Sequence, residues 1–348
     1  MLLAKKILSL TLISCLLLFA CTPTVPTAPP TAAPTVAPTS PPTVVATEAS
    51  TGLPEELINI SDPEIPLSAA PPVFTGLLPE ASGVKVQSNA KAIIDYSNSA
   101  DGYVMTKYVP ATPKSLRVTV TGPSAVQYIY FLRSDGEYEV FPLSDGVGAY
   151  KIGVYESPDG GSKYALAGSL SLDVELTDEF APFLRPNQYV NYNEDSKTVA
   201  KAAELVKDSK TIFDKIKVIY EYVIDSFEYD FDLAKSVQSG YLPDVDAVLE
   251  KGKGICFDYA AITTAMLRSQ NIPCKLVVGY EGEVYHAWIN VYNSETGDWI
   301  NEAIFFDGES WKLIDPTYAS TAGGTAGGDA RVASVIGSGQ SYVAKYLY

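Results

Sequence analysis

The sequence predicts an α+β chain: an all-β sandwich of immunoglobulin-like type followed by a domain in which helices precede an antiparallel sheet. Three observations carry this. Short strand-like runs separated by turn residues recur from about Lys85 to Leu176. Apolar residues then switch to helical spacing between Val199 and Gln270, and strand-like runs return from Lys275 onward. Runs of strands, then helices, then strands make separate all-β and α+β units rather than a parallel α/β sheet.

The 348 residues, 47% of them hydrophobic, suffice for two ordinary domains. There are 25 Lys+Arg against 41 Asp+Glu, a formal charge of -16, so the surface repels phosphate backbones and anionic membranes. Nucleic acid is excluded as a partner on that ground. His occurs once and no Cys-x-x-Cys pair exists, which removes the usual multi-His and thiolate metal sites. No cofactor is expected.

At the N-terminus, Lys5 and Lys6 precede an apolar run from Ile7 to Ala20, short for a bilayer span but suited to a signal-peptide core. It ends Leu18-Phe19-Ala20-Cys21, which resembles the bacterial lipoprotein signal; residues 1–20 are then the signal peptide and Cys21 the acylated residue. Acylation would supply roughly 0.8 kcal/mol per buried methylene. The expected location is the extracellular face of a bacterial cell membrane, held by the lipid. Residues 21–55 are Thr, Pro, Ala and Val with almost no charge, which builds no core and reads as an extended stalk. Its Thr content leaves glycosylation open.

The sandwich is expected over residues 80–177. Its strands are Lys91–Tyr96, Tyr103–Val109, Leu116–Thr121, Val126–Leu132, Glu137–Phe141, Ala149–Tyr155 and Leu170–Leu176. Turns such as Ser134-Asp135-Gly136 separate them, and Leu116-Arg117-Val118-Thr119-Val120-Thr121 alternates as a half-buried strand does. No chemistry is legible here, and a spacer or docking module is the expectation. A Pro- and aromatic-rich connector, Asp178 to Tyr192, leads to the second domain, residues 190–348. There, helices are expected at Val199–Val206, from Ile212 to about Phe227, at Asp246–Glu250 ended by Gly252, and from Cys256 to about Gln270. Strands follow at Lys275–Tyr280, His286–Tyr292, Ile300–Phe306 and Trp311–Asp315.

Chemistry concentrates in this second domain. Gly252-Lys253-Gly254-Ile255-Cys256-Phe257-Asp258-Tyr259-Ala260-Ala261 places Cys256 at the start of an apolar helix. Unpaired N–H groups and the positive dipole end there favour a thiolate, the competent nucleophile. The single His286 heads a strand in Tyr285-His286-Ala287-Trp288. Asp315 lies in Trp311-Lys312-Leu313-Ile314-Asp315-Pro316-Thr317. Singly, these would be a buried Cys, a core His and a turn Asp. Together they supply nucleophile, base and the residue that orients the base. A disulfide between Cys256 and Cys274 satisfies parity alone; Cys274 is better placed as a small buried residue opening a strand.

In this order and local context the three motifs closely resemble the transglutaminase-like superfamily, over about Asn193 to Tyr348. The resemblance implies a papain-like core with Cys256 as nucleophile, His286 as base and Asp315 as its orienter. It also implies an aromatic residue near the oxyanion, for which Tyr229, in Phe227-Glu228-Tyr229-Asp230, is the candidate. The implied activity is that of a cysteine acyltransferase or a cysteine protease or amidase acting on protein or peptide amides through a thioester. Hydrolysis is slightly favoured over crosslinking, because water is always present and no amine site is legible. A non-catalytic surface adhesion or assembly lipoprotein is the alternative. The Gly-rich run Thr321–Asp329 is a surface loop, with a lid as the less favoured reading.

Overall fold

The computed structural model describes residues 74–110, 112, 114–282, 284–300, 304–306, 311–313 and 342–348, all within one compact unit, Leu67–Tyr348. The signal segment, Cys21, the Thr/Pro-rich stretch, Asp315 and the Gly-rich loop lie outside the described residues.

Eight strands build the first half. Strands β1 (Val86–Ser88), β2 (Ala92–Asp95), β3 (Tyr103–Tyr108) and β6 (Glu139–Pro142) form one antiparallel sheet in the order β1-β2-β3-β6. Strands β4 (Ser115–Thr121), β5 (Gln127–Leu132), β7 (Gly148–Ser157) and β8 (Ala165–Val174) form the other, in the order β5-β4-β7-β8. The alternation anticipated for β4 is what is seen: Leu116, Val118 and Val120 are buried and Arg117 and Thr119 are not. Two expectations shift. Strand β8 begins at Ala165 rather than Leu170, because pairing with the ten-residue β7 recruits Ala165 to Ser169, all small residues but Leu166, in spite of their weak strand propensity. The short β1 carries no apolar alternation and exists through its ladder with β2.

In the second half, α1 (Lys197–Val206), α2 (Ile212–Ser226), α3 (Phe231–Ser236), α4 (Val245–Lys251) and α5 (Cys256–Ser269) precede most of the strands. Helix α2 starts on a capping box between Thr211 and Asp214, and Gly252 closes α4 at φ 58°. Two-residue strands β9 (Glu228–Tyr229) and β10 (Lys253–Gly254) pair in parallel. Then come β11 (Cys274–Glu281), β12 (Val284–Asn293), β13 (Asp298–Ile300), β14 (Ile304–Phe306), β15 (Trp311–Leu313) and β16 (Tyr342–Leu347). The main sheet has the order β13-β12-β11-β16, and β14 pairs with β15. The expected single strand Ile300–Phe306 is thus two, because Asp298–Ile300 pairs with β12 and Ile304–Phe306 with β15.

Helix α5 is nearly all buried and packs on α1, α2 and the sheet strands β11 and β12. One buried cluster runs continuously from the sandwich (Val118, Phe141, Ile152) through Tyr189 and Tyr348 to Ile219, Ala261 and Ile262. Burial of that apolar surface, at about 25 cal/mol per Å², is the main force holding α5 in place.

Candidate active site

Cys256 is the first residue of α5 and is partly exposed. Both Cys256 and Cys274 are free thiols. Cys274 is fully buried, 3.5 Å from the Thr264 Oγ1, and burial pushes its thiol up to about 11. It is a packing residue.

The turn that presents Cys256 is pinned on three sides. Asp258 accepts a hydrogen bond from the Ile255 N–H at 2.8 Å, so an acid in the first turn satisfies one of the helix's orphan donors. The Tyr241 hydroxyl donates to the other carboxylate oxygen at 2.7 Å. The carboxyl is almost wholly buried; that burial pushes its pKa up, while the two hydrogen bonds pull it down. The parallel ladder of β9 and β10 supplies the second restraint, with the Glu228 N–H donating to the Gly252 carbonyl and the Asp230 N–H to the Gly254 carbonyl, both at 2.8 Å. Gly254 supplies the third: a Cβ there would stand 2.6 Å from the Asp258 Cβ, so the turn closes only without a side chain.

The same ladder sets Tyr229 opposite Gly254, two residues before the thiol. Its ring lies 4.9 Å from that of Phe231 and 6.5 Å from that of Tyr259. The structure therefore brings Tyr229 beside the turn that leads into Cys256.

His286 is reached through the sheet. Cys274 anchors the start of β11 against Thr264 of α5. Gly279 pairs with His286 of β12. His286 is 6% exposed and shares its strand face with Trp288, whose ring is 6.3 Å away, and with Tyr342, also at 6.3 Å. Ala287 and Ile289, on the other face, join the core with α5. Gly279 is required opposite the imidazole, since a Cβ there would meet the Val343 carbonyl at 2.1 Å. Asp315 follows β15 by two residues and lies outside the described residues.

Sequence reasoning missed Asp258 and Tyr241. The first had a signal, an acid three residues after Ile255 at a helix start. The second had none, because it reaches the site only through the fold of the α3–α4 loop.

Residues 199–316 match the family model of the transglutaminase-like superfamily, a span that contains Cys256, His286 and Asp315. A curated relative is YebA, an uncharacterised protein of Bacillus subtilis (strain 168), 26% identical over 129 residues. The matched part is 34% of this chain, and this chain spans only 17% of YebA. Among solved structures, the chain is similar to a provisionally assigned cysteine protease from Cytophaga hutchinsonii, with 15% identity, a TM-score of 0.31 and coverage of 67% of this chain and 69% of that one. It is similar also to the periplasmic domain of TgpA from Pseudomonas aeruginosa bound to ethylmercury, with 16% identity, a TM-score of 0.28 and coverage of 69% and 77%. Red sea bream transglutaminase matches at 11% identity and a TM-score of 0.27, with coverage of 64% and 49%. At these scores the structural likenesses carry no weight of their own.

Proposed function

We propose, for a chain whose residues 199–316 belong to the transglutaminase-like superfamily, that it is a thiol enzyme acting on protein or peptide amides, with Cys256 as nucleophile. The observation that carries this is Cys256 as the partly exposed first residue of a buried helix, inside the matched span. The superfamily is one of cysteine enzymes, which supports the general chemistry; the substrate and the fate of the acyl group are our reading.

In that reading the Cys256 thiolate attacks the amide carbonyl and forms a tetrahedral intermediate. The Cys256 backbone N–H sits among the helix-start donors that lack an intrahelical acceptor, and it donates to the oxyanion, aided by the Tyr229 hydroxyl. His286 delivers a proton to the leaving amine, and Asp315 orients the imidazole. The thioester then passes to water, or to an amine. We place hydrolysis first, since water reaches a partly exposed thiol without a second binding site.

We further propose that the chain works on the outer face of a bacterial membrane, tethered through acylated Cys21, with protein or peptide substrates of the cell surface or wall. Support comes from Leu18-Phe19-Ala20-Cys21 and the uncharged stretch after it. Replacing Cys21 with Ala should release the protein from membranes; retention would count against the tether.

The activity is tested by mass spectrometry of peptide mixtures incubated with the protein, with and without an added primary amine. Cleavage, deamidation and amine incorporation each give a different mass change. No change of any kind, with Cys256 inert to iodoacetamide, would establish a binding protein instead.

A further inference from the structure

We propose that the β-sandwich is a positioning element of the nucleophile: its edge strand β5 seats the α3–α4 loop through Phe131, and that loop's Tyr241 holds the Ile255–Cys256 turn through Asp258. This rests on the reading of Cys256 as nucleophile.

Strand β5 is an edge of its sheet, and its outer side is not left to solvent. The Gln188 side-chain amide takes the place of a neighbouring strand there: its oxygen accepts from the Phe131 N–H at 3.0 Å and its nitrogen donates to the Phe131 carbonyl at 2.9 Å. With the backbone so fixed, the Phe131 ring projects against Gly240 of the α3–α4 loop. A Cβ at Gly240 would stand 2.8 Å from the ring, and Gly240 is held at φ 92°, a conformation that favours glycine. The loop turns there, with the Tyr241 N–H donating to the Gln238 carbonyl. The next side chain is Tyr241, whose hydroxyl donates to Asp258 at 2.7 Å, and the other oxygen of Asp258 takes the Ile255 N–H at 2.8 Å. The chain of contact from sandwich to nucleophile is therefore Phe131, Gly240, Tyr241, Asp258, Ile255.

A second line of contact reaches the same turn from the same strand. The Tyr130 ring packs on Tyr189 at 5.7 Å, and Tyr189 packs on Phe257, the residue after the nucleophile, at 5.6 Å. The two lines grip the residues on either side of Cys256. A spacer would need neither.

Tyr241 is in these terms a positioning residue. A hydrogen bond to a buried carboxylate is strong enough that its loss displaces the cap it supports. The test uses the full chain labelled with ¹⁵N at Ile and Cys. Tyr241→Phe removes only the hydroxyl, and Phe131→Leu shortens the contact with Gly240 while keeping β5 apolar. Both should shift the amide signals of Ile255 and Cys256. Both should also slow iodoacetamide alkylation of Cys256, mapped by peptide mass spectrometry, by roughly tenfold, with the thermal transition little moved. Leu166→Ala, on the exposed part of β8, should change neither. Unmoved amide signals in either Tyr241→Phe or Phe131→Leu would overturn the proposal, since each link is required. Signals that move in both variants of a protein whose Cys256 resists alkylation throughout would keep the positioning role and overturn the nucleophile reading instead.

Discussion

Cys256 and Cys274 show how one residue type takes opposite roles through placement. Cys256 opens a helix and is partly exposed; Cys274 is enclosed by Thr264 and the Arg268 guanidinium side of α5. At pH 7 iodoacetamide should label Cys256 and leave Cys274 untouched in the folded protein, because burial keeps the Cys274 proton on up to about 11. Labelling of both, with the fold intact by circular dichroism, would contradict this. Cys256→Ala should abolish turnover without loss of stability. Cys274→Ala should keep turnover and lose about 1–2 kcal/mol in urea unfolding, as deletion of a fully packed side-chain atom does. Tyr229 was singled out by family resemblance, and the β9–β10 ladder puts it opposite Gly254. If its hydroxyl serves the oxyanion, Tyr229→Phe should lower turnover by about 10²-fold with KM little changed. An unaltered kcat would assign it to packing against Phe231 and Tyr259.

Among the elements, α5 organises the domain and depends on both of its ends. At its last turn Arg268, fully buried, donates to the Cys274 carbonyl at 2.9 and 2.7 Å, to the Arg185 carbonyl at 2.7 Å and to the Tyr348 carbonyl at 2.6 Å. One guanidinium thus ties the helix to the connector, to β11 and to Tyr348, the residue after β16. Arg268→Met keeps the volume but strands those carbonyls, so stability should fall by at least about 3 kcal/mol, measured as a lower urea midpoint at constant slope. Arg268→Lys should rescue little, since a point ammonium cannot span the fork. At the other end Gly254→Ala would drive a Cβ into Asp258. Its alkylation rate at Cys256 should drop about tenfold or more, while the melting temperature moves by only a few degrees; equal effects on both would make Gly254 a general folding residue.

At the scale of the whole molecule, the core is joined by tyrosines. Tyr130, Tyr189 and Tyr348 link sandwich, connector and C-terminal strand, with ring centroids 4.4 to 5.8 Å apart. Burial raises their hydroxyls above the ordinary value near 10, Tyr189 to about 12, and Tyr108 is likewise raised to about 12. Between the free and the raised values the unfolded chain loses protons that the native state keeps, so stability is full below about pH 10 and declines as pH rises from there toward 12. Exposed tyrosines such as Tyr285 titrate first; the buried ones should ionise in a later cooperative step of the 295 nm absorbance that coincides with loss of near-ultraviolet dichroism. Complete tyrosine titration with the dichroism intact would mean that these rings are accessible and the joint between the halves is loose.

Period and turn chemistry were enough for α2, α4, α5 and most of the sandwich strands, because each buries one face against a neighbour and writes that face into its spacing. The placement of Cys256 at a helix start and of His286 in a strand was likewise legible, since both leave local marks in the spacing. The elements that escaped were β1, β9, β10, α3 and β16. Each is short or exposed and owes its existence to partners far away in sequence, as Tyr342–Leu347 does to β11. The Tyr241–Asp258 bond escaped for the same reason. Residue types and local periods determined which side chains could do chemistry. Only packing across long separations decided which distant residues, Phe131 and Tyr241 among them, meet at the Ile255–Cys256 turn, because such contacts depend on loop closure and leave no pattern in the chain.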